Sequence, residues 1–279
     1  MSREYRVIAL DMDGTALNDE KQMSDRTKAA IHRALAAGKE VIFCTGRSYA
    51  EMEETLEEFP DMNYLCGESG AMIYDLRKKC PVCLISIPLQ ERQKLWKLVE
   101  GREIMPQLFS EGRSVINASQ LYQMEHYQMG VYQNAFIKVC TLVDDVTQTS
   151  LEVKNAEKIN LYHTSPAKRE ETLRRLQEAG LQLTMVYSEI SSLECSPLGL
   201  SKASGLRALC EVLDIGMDQV IMVGDADNDL EALKAAGLAV AMGNANEAVK
   251  AVCDAQVADN NHDGCAQAIE YYMLGEGRK

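Results

Sequence analysis

At both ends of the chain short unbroken apolar runs alternate with stretches of helical spacing, and the middle breaks that rhythm. VIAL (Val7–Leu10) and the apolar part of EVIFCTGR (Glu40–Arg47) are too short for helices and rich in aliphatic and β-branched side chains, as strands buried on both faces require. Between them SDRTKAAIHRALAAG (Ser24–Gly38) sets Ala30, Ile31, Ala34 and Leu35 at helical spacing, with Ser24 as N-cap and Gly38 as stop. Strand, helix and strand in that order make a βαβ unit, so the sheet is predicted to be parallel. SYAEMEETLEEF supplies the next helix, NYLC (Asn63–Cys66) a short strand, and GESGAMIYD a loop leading into a hairpin.

From about Leu84 the pattern changes. A polar helix, LQERQKLWKLVEG, precedes aromatic-containing polar sequence around LYQMEHYQMGVYQ; strand candidates AFIKVCTLV, KINLYH and LTMVYS follow, with the helix PAKREETLRRLQEAG among them. This mixture predicts an inserted α+β domain with antiparallel strands. After about Ser191 the βα rhythm resumes with the helix SKASGLRALCEVL (Ser201–Leu213), whose Leu206, Leu209 and Leu213 share a face. The strand QVIMVGDADND, the helix LEALKAAG, the short strand LAVAMGN and the closing helix CAQAIEYYML complete it. The expected fold class is α/β: a parallel-sheet core from residues 1–83 and 190–279, interrupted by an α+β insertion at 84–189.

A chain of 279 residues, 46% hydrophobic, is long enough to bury two such cores. Lys and Arg total 29 against 42 Asp and Glu, a formal charge of -13, which argues against partners such as duplex nucleic acid or an anionic membrane surface. A phosphorylated ligand would need a locally positive or metal-loaded pocket. No run approaches the roughly 18 apolar residues of a membrane span, and MSREYR leads straight into the first strand without a signal-peptide core, so a cytoplasmic location is expected. The nine Cys are scattered; Cys80 and Cys83 form a C-x-x-C with no second pair or His pair to complete a zinc site, and all are read as reduced, mostly structural thiols.

The candidate chemistry lies where the strands stop. VIAL runs into Asp11, Met12, Asp13 and Gly14, and two carboxylates so close repel unless a cation lies between them or one is protonated. That implies a metal, an acid/base pair or both, against the plainer reading of an Asp-rich turn. Val220–Val223 ends likewise in Gly224, Asp225, Asp227, Asn228 and Asp229. An EF-hand loop would use the same first, third and fifth positions, but Leu230 stands where its glycine belongs and Ala236 where its bidentate glutamate belongs. VIFC ends in Thr45 and Gly46, whose hydroxyl and amide can donate to phosphate oxygens, and Lys202 opens a helix, where ammonium and helix N-terminus both favour an anion. Singly, Thr45 reads as a cap and Lys202 as a solvated lysine; their joint occurrence carries the argument.

In the order DxDGT, TGR, Lys, GDxxND the chain resembles the haloacid dehalogenase superfamily, specifically its Cof-type (subclass IIB) phosphatases, and NNHDGCAQAIEYYML is similar to the closing segment of that group. The resemblance implies a Rossmann-like core with an inserted specificity-setting cap domain. It implies that Asp11 attacks the phosphoryl group to give an aspartyl-phosphate, and that Asp13 protonates the leaving alcohol and then deprotonates water. It further implies Mg²⁺ held by Asp11, the Asp13 backbone carbonyl and Asp225, and phosphate oxygens bound by Thr45, Gly46, Lys202, Asn228 and the Met12 amide. Asp229 is expected to orient Lys202 or a metal-bound water from behind, and Asp227 to be a variable loop carboxylate. Two positions depart from the group's pattern: Ala203 follows Lys202 where glycine is usual, and ESGA (Glu68–Ala71) stands where Asn-Gly-Ala is common.

Asp13 favours hydrolysis of an alkyl phosphate, with sugar phosphates first among small phosphorylated metabolites and flavin mononucleotide or pyridoxal phosphate also in range. A phosphomutase on a sugar phosphate keeps the same aspartate pair and stands as the alternative. A non-catalytic regulator binding phosphorylated metabolites should have lost Asp11, Asp13, Lys202 or Asp225, and all four are present. In the insertion Trp96, Arg113, His126 and Tyr127 read as core or ordinary surface.

Overall fold

The computed structural model describes residues 4–277. The chain forms two compact units, one from residues up to Arg47, Glu53–Cys83 and from Ser201 onward, the other from Ser48–Met52 and Leu84–Leu200.

The first unit is built on an eight-stranded sheet. Val7–Leu10 lies between Glu40–Cys44 and Val220–Gly224, both parallel to it, with Leu10 opposite Phe43 on one side and Val223 on the other. Outward lie Tyr64–Gly67, the antiparallel Met72–Asp75 and Cys80–Leu84 on one side, and Leu238–Ala241 and Ala255–Gln256 on the other. Strand order therefore reverses beside Val7–Leu10, and the carboxyl ends of the three central strands finish level. That is the edge at which an open parallel sheet presents a crevice. All four residues of Val7–Leu10 are buried, as the unbroken apolar run predicted. Ser24 caps the helix Asp25–Ala36 by accepting from Thr27 N–H.

The second unit carries a six-stranded sheet in the order Leu183–Tyr187, Ser192–Pro197, Lys158–His163, Ile104–Ser110, Arg113–Asn117, Cys140–Val143. Its pairs are antiparallel except the last. Alternation along the strands gives the sheet two unlike faces. Leu108, Val115, Ile159, Leu161, Leu193 and Cys195 share one apolar cluster with Leu95, Trp96 and Leu176 of the helices Leu89–Val99 and Pro166–Glu178. The other face is buried yet polar: Gln107 donates to Ser114 Oγ at 2.6 Å, Asn160 donates to Tyr162 Oη at 3.0 Å, and Lys158 pairs with Glu194 at 3.2 Å.

Three sequence expectations change here. Residues 190–200, which the βα rhythm assigns to the core, stand with the second unit because Ser192–Pro197 pairs on both sides within its sheet. Ser48–Met52 groups there too, where Ala50 N–H donates to Gly112 O at 2.9 Å. AFIKVCTLV is not one strand: Gln133–Val139 is a helix that buries Phe136 against Tyr162, and only Cys140–Val143 is extended. Short apolar runs do not distinguish the two states by period alone.

One buried group in this unit sets a pH dependence. Burial pushes the Glu157 carboxyl from 4.5 up to about 7, although Oε2 accepts the Glu111 N–H at 2.8 Å. Because the folded value is the higher, the stability that this group's neutral form contributes is fully present below pH 4.5 and is lost as pH rises through 7. The loss amounts to about 3 kcal/mol. Glu157→Gln keeps a carbonyl oxygen for Glu111 and removes the titration. Denaturation profiles at pH 5 and pH 8 are expected to show the variant more stable than the parent only at the higher pH; an equal gain at both would mean that ionisation is not the cause.

Candidate active site

The level strand ends place Asp11, Thr45 and Asp225 side by side, each the first residue beyond its strand. Asp11 N–H extends the ladder to Val223 O at 3.1 Å, and its side chain turns inward, 5% exposed. There it meets Lys202, the first residue of the helix Lys202–Leu213 and itself 1% exposed. The Lys202 ammonium donates to Asp11 Oδ1 at 2.5 Å and to Asp229 Oδ1 at 2.7 Å. The second oxygen of Asp229 accepts the backbone N–H groups of Asp225 and Ala226 at 3.0 and 3.2 Å. Gly205 lets this helix approach: a Cβ there would lie 2.6 Å from Cys66 Sγ and from Gly70 Cα.

Asp11, Asp225 and Asp229 each bring one carboxylate oxygen within 4.8 Å of the others. Burial pushes Asp11 up to about 7, against the opposing pull of Lys202, and burial also raises Asp225. Lys202, for which burial alone would disfavour the charge, is held well above its ordinary value by Asp11 and Asp229. One ammonium thus faces three crowded carboxylates, an all-oxygen donor set suited to a hard divalent cation. Thr15 Oγ1 fixes Asp225 by donating to Oδ1 at 2.8 Å. The turn that brings Thr15 there needs Gly14, whose φ is +85° and whose missing Cβ would lie 2.5 Å from Asp225 Oδ2. Asn244 Nδ2 donates to Gly14 O at 2.8 Å, and Asn260 Nδ2, from the closing NNHDG segment, to Leu17 O at 3.1 Å, so two segments tie down the same loop.

Asp13 goes a different way from Asp11. The strand stops at Leu10, so the two-residue period that would put both carboxylates on one side does not extend to Asp13. Its side chain, 44% exposed, accepts from Arg47 Nη2 at 2.8 and 2.9 Å, from Arg47 Nε at 3.2 Å and from Lys21 Nζ at 2.9 Å. Partial burial works to raise it, but the two cations hold it below the ordinary carboxylate range.

Thr45 is buried, and its Oγ1 accepts the Arg47 N–H at 3.2 Å, which leaves the hydroxyl proton to donate elsewhere. The loop carrying Thr45 and Arg47 is held by the ESGA segment through backbone donors, Glu68 N–H to Arg47 O at 2.9 Å and Ser69 N–H to Thr45 O at 3.0 Å. Glu68 and Ser69 both have positive φ to do so, 55° and 60°. The departure from Asn-Gly-Ala therefore leaves this support to the backbone. Gly46 lies in the same loop, half-buried; Met12 is buried; Asn228 is exposed on the 3₁₀ turn Asp227–Asp229. Asp227 accepts from Asn246 Nδ2 at 2.9 Å in the exposed loop.

The sequence pattern alone does not mark Arg47, Lys21, Thr15, Asn244 or Asn260 as site residues, although Arg47 and Thr15 stand inside the TGR and DxDGT motifs. Cys80 and Cys83 sit on one strand three residues apart and so project to opposite faces, which rules out a shared disulfide or metal. In the second unit Trp96 donates to Ser150 Oγ within the core, Tyr127 is buried, and His126 pairs with Glu103 at the surface. No helix among the described residues is long and apolar enough to cross a membrane.

Comparison with known proteins agrees with this geometry. The model of the haloacid dehalogenase-like hydrolases matches residues 8–269. A 5-amino-6-(5-phospho-D-ribitylamino)uracil phosphatase of Bacillus subtilis strain 168 is 28% identical over 273 residues, covering 97% of each chain. A pyridoxal phosphate phosphatase of Escherichia coli K12 is 27% identical, covering 96% of this chain and 99% of its own. The crystal structure of a haloacid dehalogenase-like hydrolase from Bacteroides thetaiotaomicron superposes with a TM-score of 0.84 at 25% identity, covering 96% of this chain and 99% of that one. With its motifs gathered at one sheet edge and the match running nearly end to end, the chain belongs to the haloacid dehalogenase-like hydrolases, as a Cof-type phosphoric monoester hydrolase.

Proposed function

We propose that the protein is a Mg²⁺-dependent phosphatase of small phosphorylated metabolites, sugar phosphates first, working through an aspartyl-phosphate on Asp11. The observation that carries this reading is the buried Lys202 ammonium bridging Asp11 and Asp229 beside Asp225. It supports a site where an anionic nucleophile has to coexist with an anionic substrate.

In the first step an Asp11 carboxylate oxygen attacks phosphorus, the bond to the leaving oxygen breaks, and Asp13 supplies that oxygen with a proton. In the second, Asp13 takes a proton from water as the water attacks the same phosphorus, releasing phosphate and restoring Asp11. Thr45, the amides of Gly46 and Met12, Asn228 and Lys202 are the proposed ligands of the phosphate oxygens, where charge develops. Asp11, Asp225 and the Asp13 backbone carbonyl are the proposed holders of Mg²⁺, which when bound would supply the charge neutralisation that such an approach demands. Asp229 is assigned to orienting Lys202. The second unit is the proposed carrier of substrate-specificity residues. A cytoplasmic setting suits nine cysteines that are all free thiols.

The test is phosphate release from sugar phosphates, pyridoxal phosphate, flavin mononucleotide and 5-amino-6-(5-phospho-D-ribitylamino)uracil, before and after exhaustive chelation. Turnover is expected to fall at least about 100-fold on metal removal and to return with Mg²⁺. Turnover indifferent to chelation would remove the metal from the reading, and transfer of the phosphoryl group to a second hydroxyl of the sugar would replace hydrolase by mutase.

A further inference from the structure

Lys21 sits in a closely hydrogen-bonded turn. Its φ is +61°, a left-handed conformation that a lysine keeps only when its surroundings over-determine it. They do: Asn18 Oδ1 accepts the N–H groups of Glu20 and Gln22 at 3.0 and 2.9 Å, and Asn18 and Gln22 close the turn through Asn18 N–H to Gln22 O at 2.9 Å. Lys21 N–H donates to Asn18 O at 2.9 Å, and Asp19 in the same turn is gripped by the side chains of Asn260 and Asn261 at 3.1 and 3.0 Å. The product of this construction is an ammonium 2.9 Å from Asp13 Oδ1, the oxygen that Arg47 also approaches at 2.8 Å. An exposed ion pair of this kind contributes little to stability.

We propose that Lys21 is a positioning residue for Asp13, fixing together with Arg47 the direction in which its carboxyl meets the leaving-group oxygen; the inference rests on the acid/base role assigned to Asp13 above. Arg47 reaches both Asp13 oxygens and Lys21 one of them, so two cations fix the orientation of the carboxyl. When the bond from phosphorus to the leaving oxygen breaks, its electron pair goes to that oxygen, which takes a proton from Asp13 in the role assigned to it above. Misplacement of the acid should matter only where the leaving oxygen needs the proton. An alkoxide does; a nitrophenolate does not.

The experiment compares kcat/KM, which reports the phosphorylation step, for glucose 6-phosphate and p-nitrophenyl phosphate with the Mg²⁺-loaded protein and its Asp13→Asn, Lys21→Met and Lys21→Arg variants. Lys21→Met is expected to lower the sugar phosphate value about tenfold or more and the nitrophenyl value by no more than about twofold, with Lys21→Arg restoring the ratio. Its thermal midpoint without metal is expected to stay within about 2 °C of the parent. Equal loss on both esters would make Lys21 a steering or structural residue and overturn the inference, as would no loss on either. If Asp13→Asn shows the selective loss and Lys21→Met does not, only the inference falls. If Asp13→Asn itself lacks selectivity, the acid/base assignment falls and takes the inference with it.

Discussion

Asp11→Asn is expected to leave a folded protein whose phosphate release is slower by about 10⁴-fold or more, the scale on which loss of a nucleophile is felt. Folding should survive because burial already pushes Asp11 up to about 7, so an uncharged group of the same shape is no stranger to that position. Lys202 keeps its second partner, Asp229 Oδ1 at 2.7 Å. An amide nitrogen beside the ammonium is unfavourable, but the carbonyl oxygen of Asn can take the place of Oδ1. What disappears is the oxygen proposed to attack phosphorus. Rapid acid quench with a labelled substrate should trap phosphate on the parent chain and none on the variant. Turnover above about 1% of the parent, or label retained on the variant, would move the nucleophile elsewhere.

The residues behind that prediction are legible in the sequence for a definable reason. Asp11, Thr45 and Asp225 each follow an apolar run, and parallel strands in register bring run ends together whatever the loops do. Lys202 is legible as the opening residue of a strongly periodic helix. The grip on Asp13 is not legible. Arg47 and Lys21 reach it from 34 and 8 residues away, through two turns whose φ values no apolar pattern encodes.

The second unit was harder for related reasons. Ile104–Ser110 and Arg113–Asn117 form a hairpin that the sequence reading passed over. Its two turn residues, Glu111 and Gly112, both have positive φ, as a type I′ turn requires, yet Glu-Gly is not the usual Asn-Gly signal, and Pro106 within the first strand argues against a strand at all. Polar side chains on the buried second face, Gln107, Lys158, Asn160 and Glu194, further blur the alternation that marks a half-buried strand.

Lys202→Met should produce the other large effect, and in stability as well as rate. The methionine side chain fits the volume, but Asp11 and Asp229 would then face each other, with Asp225 close by, in a site that is 5% exposed at Asp11 and 0% at Asp229. Removing one partner of a buried ion pair leaves uncompensated charge, at a cost of about 3–5 kcal/mol. Added Mg²⁺ should recover more stability in the variant than in the parent, because a divalent cation on the same carboxylates restores positive charge and binds only the folded state. Phosphate release should fall about 10³-fold even at saturating Mg²⁺, since the ammonium proposed to bind the phosphate oxygens is gone. Denaturant unfolding with and without Mg²⁺ reads the first effect and steady-state kinetics the second. A variant as stable as the parent in metal-free buffer would mean that Lys202 does not neutralise the carboxylates, and the buried ion pairs would lose their place as the feature on which the site is organised.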